Sequence, residues 1–304
     1  MRKRITMTTP PDAIPKNVAY ERARGTSMVL TPIGVVRSSI ADRQEMPTFG
    51  VPARVEIFPE FAEGLRHLQK HTHVWILAWL HEADRTRLLV TPRGVSDTSE
   101  AGLHGVFAVR SPTRPNPIAM TAARIERIEG TCLHLDRLDF VDGTPIVDVK
   151  PYFRSRDAIY AARNEQIGRP ANRQALLESL LFQAEHFHGE RCGGLAYGAR
   201  IVEHFRATFL DFAEAWGTQV IVPEDAGCLI DAVMTLVGAT PGRGTLGFHG
   251  APFVRFIRGE RVYNYVLLEP GRRWPSWTAL SLEEVLATPE EELFRASATS
   301  VRVR

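Results

Sequence analysis

The chain of 304 residues is poor in cysteine and has no long apolar run. Its three cysteines, Cys132, Cys192 and Cys228, do not make a disulfide framework, so we predict a reducing, cytoplasmic location. No apolar run approaches the length of a transmembrane helix, and no apolar segment follows the basic residues at the N-terminus. We therefore expect neither a secretory signal nor a membrane partner.

An excess of charge of one sign is also missing, since the formal net charge is only +2. The chain thus lacks the overall basic character that typifies many nucleic-acid-binding proteins. Only four lysines are present, so arginine supplies nearly all of the positive charge. A guanidinium group binds carboxylates and phosphates through paired hydrogen bonds, which makes the arginines candidates for binding anionic groups.

The first half of the chain has the pattern of short strands separated by turns. One of them, His73–Leu80, is an apolar run with two tryptophans and is predicted to be a buried strand. The spacing of the strands predicts a small β-barrel or a strongly curved sheet. The predicted strands are 28–38, 54–58, 73–80, 106–109, 120–128, 132–138 and 146–149, with turns at 129–130 and 142–143 and a short helix at 59–65.

The pattern changes after Tyr152, where helical spacing alternates with strands and predicts an α+β region. The predicted helices are 157–181, 194–216 and 228–237, and the predicted strands are 218–222, 252–257 and 262–268. We expect a flexible leader at 1–27, a barrel domain at 28–157, a helical linker at 158–180, an α+β domain at 181–290 and a tail at 291–304.

The most informative segment is Arg110–Ile118, here called the proline track, with prolines at 112, 115 and 117. Each proline fixes its own φ and pushes the preceding residue out of the helical region, so the track is expected to be extended and stiff. It carries two guanidinium groups and one amide, those of Arg110, Arg114 and Asn116. A rigid backbone with such groups suits a ligand site, and a proline-rich surface turn is the alternative.

Several motifs in a fixed order, the proline track among them, are similar to those of the TsaA/TrmO-type methyltransferases. The motifs are Ile33–Ser38, Phe49–Pro52, His73–His81, Arg110–Ile118, Asp142–Pro145 and Asp148–Tyr152. The resemblance implies a small β-barrel that uses S-adenosylmethionine, with the cofactor between two protomers of a homodimer. The chain departs from the family pattern at Pro52-Ala-Arg54, where the family usually has Pro-Arg-Gln.

The resemblance implies cofactor contacts in several segments, while no catalytic base is predicted. A guanidinium group can bind the carboxylate of the cofactor, and an aspartate can accept hydrogen bonds from its ribose or face its sulfonium. Methyl transfer from so good a leaving group can be catalysed largely by positioning. The candidate cofactor-binding residues are Pro52, Arg54, His81, Glu82, Arg110, Arg114, Asn116, Met120, Asp139, Asp142, Gly143 and Thr144.

A second group of reactive side chains lies in the second half, where His188 and Cys192 precede a predicted helix and Cys228 begins another. Histidine and cysteine four residues apart are typical metal ligands, and a cysteine at a helix start can be a reactive thiolate. A buried thiol beside a glycine-rich turn is the third possibility. Residues 181–265 resemble the FmdE-type domain, which implies a metal or thiol site at His188, Cys192 and Cys228, with zinc as the candidate ion.

The resemblances lead to three hypotheses about function. The first is methylation of N6 of threonylcarbamoyladenosine in a tRNA, with arginine-rich stretches such as Arg154–Arg173 meeting phosphates. The second is methylation of a small-molecule or thiol acceptor held by the second domain. The third is a non-catalytic sensor that binds the cofactor or a metal.

Overall fold

The computed structural model describes residues 28–268 and 280–300, which form two compact units. The first unit comprises 28–88 and 105–160, and the second comprises the other described residues. The predicted leader, 1–27, lies outside the described residues, as do 269–279 of the predicted second domain and 301–304 of the predicted tail. Within the described ranges, no helix is both long and apolar enough to span a membrane.

Six antiparallel strands of the first unit close into a barrel, as the sequence predicts. Their order around the barrel is β1, β2, β7, β6, β3, β8. Two short strands, β4 and β5, pair only with each other. The strands are β1 Gly34–Ser38, β2 Val51–Ile57, β3 His73–Trp79, β4 Leu89–Val90, β5 His104–Gly105, β6 Ile118–Glu129, β7 Cys132–Leu138 and β8 Pro145–Pro151.

Strand β3 shows how the barrel core is built. Val74, Ile76 and Ala78 are fully buried, whereas the residues between them are only half-buried. The predicted strand is therefore present, with one face inside the barrel and the other outside, as in any barrel strand. The sequence of β3 is apolar throughout because its outward residues, Trp75, Leu77 and Trp79, are apolar as well.

The predicted strand at 106–109 is also wrong, because this segment is a turn. Ala108 donates from its backbone N–H to the Gly105 carbonyl at 2.8 Å. The carbonyls of Val106 and Val109 accept from the Arg114 guanidinium rather than from a neighbouring strand. Regular pairing resumes at Ile118, directly after Pro117. Pro117 is the last proline of the track, and a proline has no backbone N–H to donate to a neighbouring strand.

The second unit is a mixed five-stranded sheet with helices, which agrees with the predicted α+β region. The strand order is β10, β9, β11, β12, β13, with β10 and β9 parallel and the other pairs antiparallel. These strands are β9 Gln219–Pro223, β10 Leu246–His249, β11 Phe253–Arg258, β12 Arg261–Leu267 and β13 Phe294–Ser300. The α-helices of the described residues are α1 Arg154–Asp157, α2 Arg173–His188, α3 Gly193–Phe209, α4 Gly227–Val237, α5 Leu282–Ala287 and α6 Glu290–Leu293.

Two predicted helices are corrected by the structure. Residues 158–172, predicted as part of a helical linker, are not helical, because Gly168 and Pro170 interrupt the segment and α2 begins only after its cap, Asn172. The side chain of Asn172 accepts from the Ala175 N–H at 2.8 Å. The helix predicted to reach Trp216 ends at Phe209, since Asp211 and Phe212 have positive φ.

The predicted tail also contains regular structure. Residues 294–300 pair with β12 along its whole length, and Phe294 at the start of this strand is buried. The sheet therefore continues beyond residue 290, the limit that the sequence pattern predicts for the second domain.

Candidate functional site

An open cleft of about 520 Å³ on the barrel brings together three of the predicted cofactor-binding residues, Pro52, Arg54 and Asp142. The barrel register explains this, because Ser38 pairs with Ala53 and Ala53 in turn pairs with Leu135. The remaining lining residues are Arg37, Ser38, Ser39, Ala53, Glu126, Arg127, His134 and Leu135. The sequence analysis missed Arg127 and His134, which approach the site only through the pairing of β2 and β6 with β7.

Asp142 is held in the cleft by backbone hydrogen bonds. Its carboxylate accepts from the Ser38 N–H at 3.0 Å, and its own N–H donates to the Ile40 carbonyl at 2.8 Å. Gly143 follows with a φ of 79°, which favours glycine, and donates to the Val36 carbonyl. Thr144 is buried, and its hydroxyl donates to the Val141 carbonyl at 2.7 Å. The turn therefore presents the Asp142 carboxylate and uses the Thr144 side chain as internal support.

Some of the arginines around the cleft already form ion pairs within the protein, and others do not. Arg37 binds Glu56 at 2.8 Å, and Arg127 binds Glu129 at 2.6 Å. The hydrogen bond from Arg127 lowers the pKa of Glu129. Arg54 forms no ion pair within the described part of the chain. It is thus the lining arginine best able to bind an anionic ligand.

The two arginines of the proline track have different environments. Arg114 is half-buried and donates to the backbone carbonyls of Ser111, Val106 and Val109 at 2.8, 3.0 and 2.7 Å. Arg110 is exposed and has no ion-pair partner among the described residues. Asn116 is also exposed. Arg114 therefore holds the track in shape, whereas Arg110 and Asn116 can bind a ligand.

The segment after β3 brings His81 and Glu82 to the end of the track. The Leu80 N–H donates to the Pro117 carbonyl at 2.9 Å, and Arg85 Nε donates to the Pro115 carbonyl at 2.9 Å. His81 Nε2 lies 4.0 Å from Glu82 Oε1, and both side chains are largely exposed. The structure thus places these two predicted residues beside the track.

Met120 and Asp139 are linked through Thr121, the residue that follows Met120 on β6. Met120 follows the track on β6 and pairs with Leu77 of β3. The next residue, Thr121, donates from its hydroxyl to the Asp139 carboxylate. The predicted residues therefore form two groups, one at the cleft and one along the proline track and the start of β6.

The second unit brings together His188, Cys192 and Cys228, whose candidate ligand atoms all lie within 4.8 Å of one another. His188 Nε2 is 3.5 Å from Cys192 Sγ. His188 Nδ1 is 2.9 Å from Asp231 Oδ2. Asp231 was not among the predicted ligands, although its position three residues after Cys228 places both on one face of α4.

The thiol of Cys228 is a weaker acid than an ordinary cysteine thiol. Burial, the hydrogen bond and charge of Cys192, and the charge of Asp231 raise its pKa to about 11. Without a metal ion, Cys228 therefore keeps its proton at neutral pH, which argues against a reactive thiolate at this position.

Comparison with known proteins connects the barrel to a family. The profile of the tRNA-methyltransferase O N-terminal domain matches residues 35–158. A protein of Archaeoglobus fulgidus, described as a probable S-adenosyl-L-methionine-binding protein, is 36% identical over 268 residues, which cover 83% of this chain and 71% of that protein. The chain belongs to the TrmO-type family of S-adenosylmethionine-dependent methyltransferases. The predicted family of the barrel is thereby confirmed.

A mouse protein and a solved structure match the chain over shorter stretches. A mouse protein named tRNA (adenine(37)-N6)-methyltransferase is 36% identical over 34% of this chain and 24% of its own length. The crystal structure of TrmO from Pseudomonas aeruginosa is 32% identical, covers 46% of this chain and 62% of that chain, and superposes with a TM-score of 0.38.

The second half of this TrmO-type chain matches another profile. It is described as FmdE, molybdenum formylmethanofuran dehydrogenase operon, and matches residues 187–252. The match includes His188, Cys192, Cys228 and Asp231, and so confirms the resemblance of this half to the FmdE-type domain.

Proposed function

We propose that this chain methylates a tRNA at N6 of threonylcarbamoyladenosine, with S-adenosylmethionine as the methyl donor. Membership of the TrmO-type family carries the proposal. The name of the matching profile and that of the mouse relative, both of which specify tRNA methylation, support this acceptor.

The side chains present on the barrel fit S-adenosylmethionine. The exposed guanidinium groups of Arg54 and Arg110 match its carboxylate, since neither forms an ion pair within the described residues. The carboxylates of Asp139 and Asp142 match its ribose hydroxyls and its cationic groups. When bound, the cofactor supplies an electrophilic methyl group, and these residues hold it in place for an in-line attack by the acceptor.

The track contributes rigidity to this proposed site. The three backbone carbonyls bound by Arg114 fix the segment that carries Arg110 and Asn116. A ligand group that binds a rigid segment avoids much of the entropic cost of ordering it. We assign Arg110 to the cofactor, and Asn116, His81 and Glu82 to the region where cofactor and acceptor meet.

The outer surface of the barrel supports a homodimer. The half-buried outward residues of β3 pair directly with outward residues of β6, Leu77 with Met120 and Trp79 with Ile118. We call Trp75, Leu77, Trp79, Ile118 and Met120 the apolar face. Met120 and Ile118 are 43% and 39% exposed, which is unfavourable for large apolar side chains unless another surface covers them. A second copy of the chain is our proposed occupant.

The three free cysteines support the predicted reducing, cytoplasmic location, which remains a proposal. We also retain the predicted domain limits, 28–157 and 181–290, as proposals, with the second domain extended to residue 300 so that it includes β13.

Methyl transfer can be tested with S-adenosylmethionine labelled in its methyl group, purified protein, and a cell extract separated into RNA and small molecules. We expect label in the RNA fraction, at N6 of threonylcarbamoyladenosine after digestion to nucleosides. Label only in a small molecule would support the alternative of a small-molecule or thiol acceptor, which the cysteine and histidine cluster of the second unit favours. If no fraction is labelled although the cofactor binds, the chain is a sensor rather than an enzyme.

A further inference from the structure

Building on the proposed function, we propose that a basic patch on the first unit binds the RNA that carries the methyl acceptor. The patch is a second contact surface for that RNA, separate from the residues assigned to the cofactor. It is built from two segments that are distant in the sequence, the end of a short 3-10 helix and the start of α1. The residues of the basic patch are Lys70, His71, Phe153, Arg154 and Arg156.

Strand pairing brings the two segments of the basic patch together. β3 begins shortly after the first segment, β8 ends shortly before the second, and these strands pair antiparallel. Beyond the last strand pair, the Tyr152 N–H donates to the His73 carbonyl at 3.0 Å. As a result, the rings of His71 and Phe153 meet edge to face, with their centroids 5.4 Å apart. The barrel itself therefore fixes the position of the patch.

The three cations of the basic patch are available to an anion. Lys70, Arg154 and Arg156 are exposed, and none of them forms an ion pair with a residue that the structure describes. Arg156 Cζ lies 5.4 Å from the centroid of the Phe153 ring. The carboxylate of α1, that of Asp157, accepts from the Phe153 N–H at 2.7 Å. Positive charge thus exceeds negative charge on this surface.

The neighbouring cations differ, because they are already paired. Lys150 and Arg124 lie on β8 and β6, the strands that flank β3 in the barrel. Lys150 binds Asp148 at 2.5 Å, and Arg124 binds Glu126 at 2.7 Å. The unpaired positive charge near the start of β3 is therefore concentrated in the basic patch. A polyanion that binds there releases counterions, which favours association.

The structure divides the arginine-rich stretch 154–173, which the sequence predicts to meet phosphates. Its later arginines belong to the second unit and are paired there. Arg169 binds Asp211 at 2.8 Å, and Arg173 binds the buried Glu203 at 2.5 Å. The first two arginines of the stretch remain unpaired and join residues 70 and 71, which no local pattern connects to them.

Phe153 indicates which kind of polyanion fits. It is 42% exposed although it is a large apolar side chain. An exposed aromatic ring among cations suits an unpaired nucleotide, whose base stacks on the ring while its phosphates bind the cations. A membrane surface is less well matched, because α1 has four residues and is too short to form an amphipathic interfacial helix. RNA is therefore the partner we assign.

The basic patch lies at the opposite end of β3 from the proline track. β3 begins at His73, near the patch, and ends at Trp79, next to the hydrogen bond between Leu80 and Pro117. At about 3.3 Å per residue, the two ends of the strand are roughly 20 Å apart. Contacts so far from the reacting atoms stabilise bound RNA equally before and in the transition state. They should therefore lower KM for the RNA and leave kcat unchanged.

Binding of an unmodified tRNA transcript tests the basic patch without requiring methyl transfer. We expect the triple variant Lys70→Gln, Arg154→Gln, Arg156→Gln to bind at least tenfold more weakly than the wild-type protein at physiological ionic strength. The slope of log affinity against log salt concentration should also become shallower, by about 0.7–0.9 for each lost phosphate contact. Unchanged binding in this variant would overturn the proposal.

A second triple variant is the matched control for charge. Arg243→Gln, Arg261→Gln, Arg295→Gln removes the same charge from exposed arginines of the second unit, none of which has an ion-pair partner among the described residues. It should keep the wild-type affinity for tRNA. Equal weakening in both triple variants would reveal an effect of net charge alone and would also overturn the proposal. Both variants should bind S-adenosylmethionine as the wild-type protein does, which shows that the barrel is folded.

Phe153→Leu and Phe153→Trp test the stacking contact. Leucine keeps an apolar side chain beside His71 but cannot stack on a base, so we expect the affinity for tRNA to fall about fivefold or more. Tryptophan offers a larger ring and should retain the affinity. Equal affinities of both variants and the wild-type protein would contradict the stacking contact.

Methyl-transfer kinetics separate a failure of the basic patch from a failure of the proposed function. We expect the patch variant to show a raised KM for tRNA with kcat unchanged. If the wild-type protein and the patch variant methylate tRNA with the same KM, the proposed function stands and the patch is overturned. Label found only in a small molecule refutes the proposed function, whatever the binding of tRNA. A chain that binds vesicles of anionic phospholipid through these three cations, but no tRNA, has a membrane partner and overturns the proposal.

Discussion

Arg110 and Arg114 are four residues apart on the same rigid segment, yet the structure gives them different tasks. We expect Arg110→Ala to weaken S-adenosylmethionine binding at least tenfold, because a charge-assisted hydrogen bond to a carboxylate is lost, with almost no change in stability since the side chain is exposed. Isothermal titration with the cofactor and urea unfolding of the same variant measure the two quantities.

Arg114→Ala is the matched comparison on the same track. It removes a guanidinium that binds three backbone carbonyls, so we expect the free energy of unfolding to fall by about 2–3 kcal/mol. If Arg110→Ala lowers stability as much as it lowers affinity, or if Arg114→Ala leaves stability unchanged, the division of roles between these arginines is wrong.

His204 is a largely buried histidine of the second unit, with Tyr265, Glu290, Arg173 and Glu203 around it. Burial lowers the pKa of its imidazole, so the folded protein resists protonation at this ring. The unfolded chain takes up that proton once the pH falls below about 6.5, and the free energy of unfolding should then decrease. Above about pH 6.5 both states are neutral at this residue, and it contributes no pH dependence.

Urea unfolding at several pH values tests this contribution of His204. We expect His204→Gln to flatten the fall in stability between about pH 6.5 and pH 5. His67→Asn is the control, because His67 is exposed and its left-handed backbone tolerates asparagine. The assignment fails if both variants retain the same pH profile as the wild-type protein.

At the scale of the elements, the contact between α3 and α4 depends on glycine. Gly194→Ala would place a methyl group 2.8 Å from Cys228 Cβ, so the helices must separate. We expect this variant to lose about 1–3 kcal/mol of stability. Gly227→Ala is the comparison, since a β-carbon at Gly227 has no neighbour within 4 Å. It should leave stability unchanged or raise it slightly, because alanine is the better helix former.

Thermal or urea unfolding in the presence of EDTA isolates this packing effect from any bound metal. Equal stabilities of Gly194→Ala and Gly227→Ala would mean that the two helices adjust at little cost, and the close approach would then not explain the position of Cys228.

The elements also show where sequence patterns succeed. Strand β7 is predicted with its observed limits, because Gly130 marks the turn before it and the apolar Leu133 and Leu135 alternate with the polar His134 and Asp136. The turn at 106–109 is missed because its carbonyls are bound by Arg114, a tertiary contact that no local pattern contains. Likewise, Arg127 and His134 enter the cleft through strand pairing, so their role follows from register rather than from a motif.

At the scale of the whole molecule, sequence patterns predict the fold class of each unit better than they predict which surfaces are interfaces, and this has a physical basis. Barrel and α+β regions follow from alternation and helical spacing, which local residues determine. The apolar run of β3 predicts that its side chains are buried in the core of one chain. Its outward side chains instead belong to the apolar face, and they are Trp75, Leu77 and Trp79. A single sequence cannot separate a core from an interface, since both bury the same kind of side chain.

The apolar face allows a direct test of the proposed homodimer. Met120 lies on that face, paired with Leu77, so Met120→Lys would place a charge within the proposed interface. We expect the wild-type protein to sediment as a dimer and Met120→Lys to dissociate at least tenfold more readily, because a buried, unpaired ammonium group is costly. Glu60→Lys, an exposed change outside the face, should leave the dimer intact.

Since the proposed cofactor residues adjoin Met120, the affinity for the cofactor should fall when the dimer dissociates and recover at high protein concentration. A dimer that persists in Met120→Lys would place the interface elsewhere on the molecule.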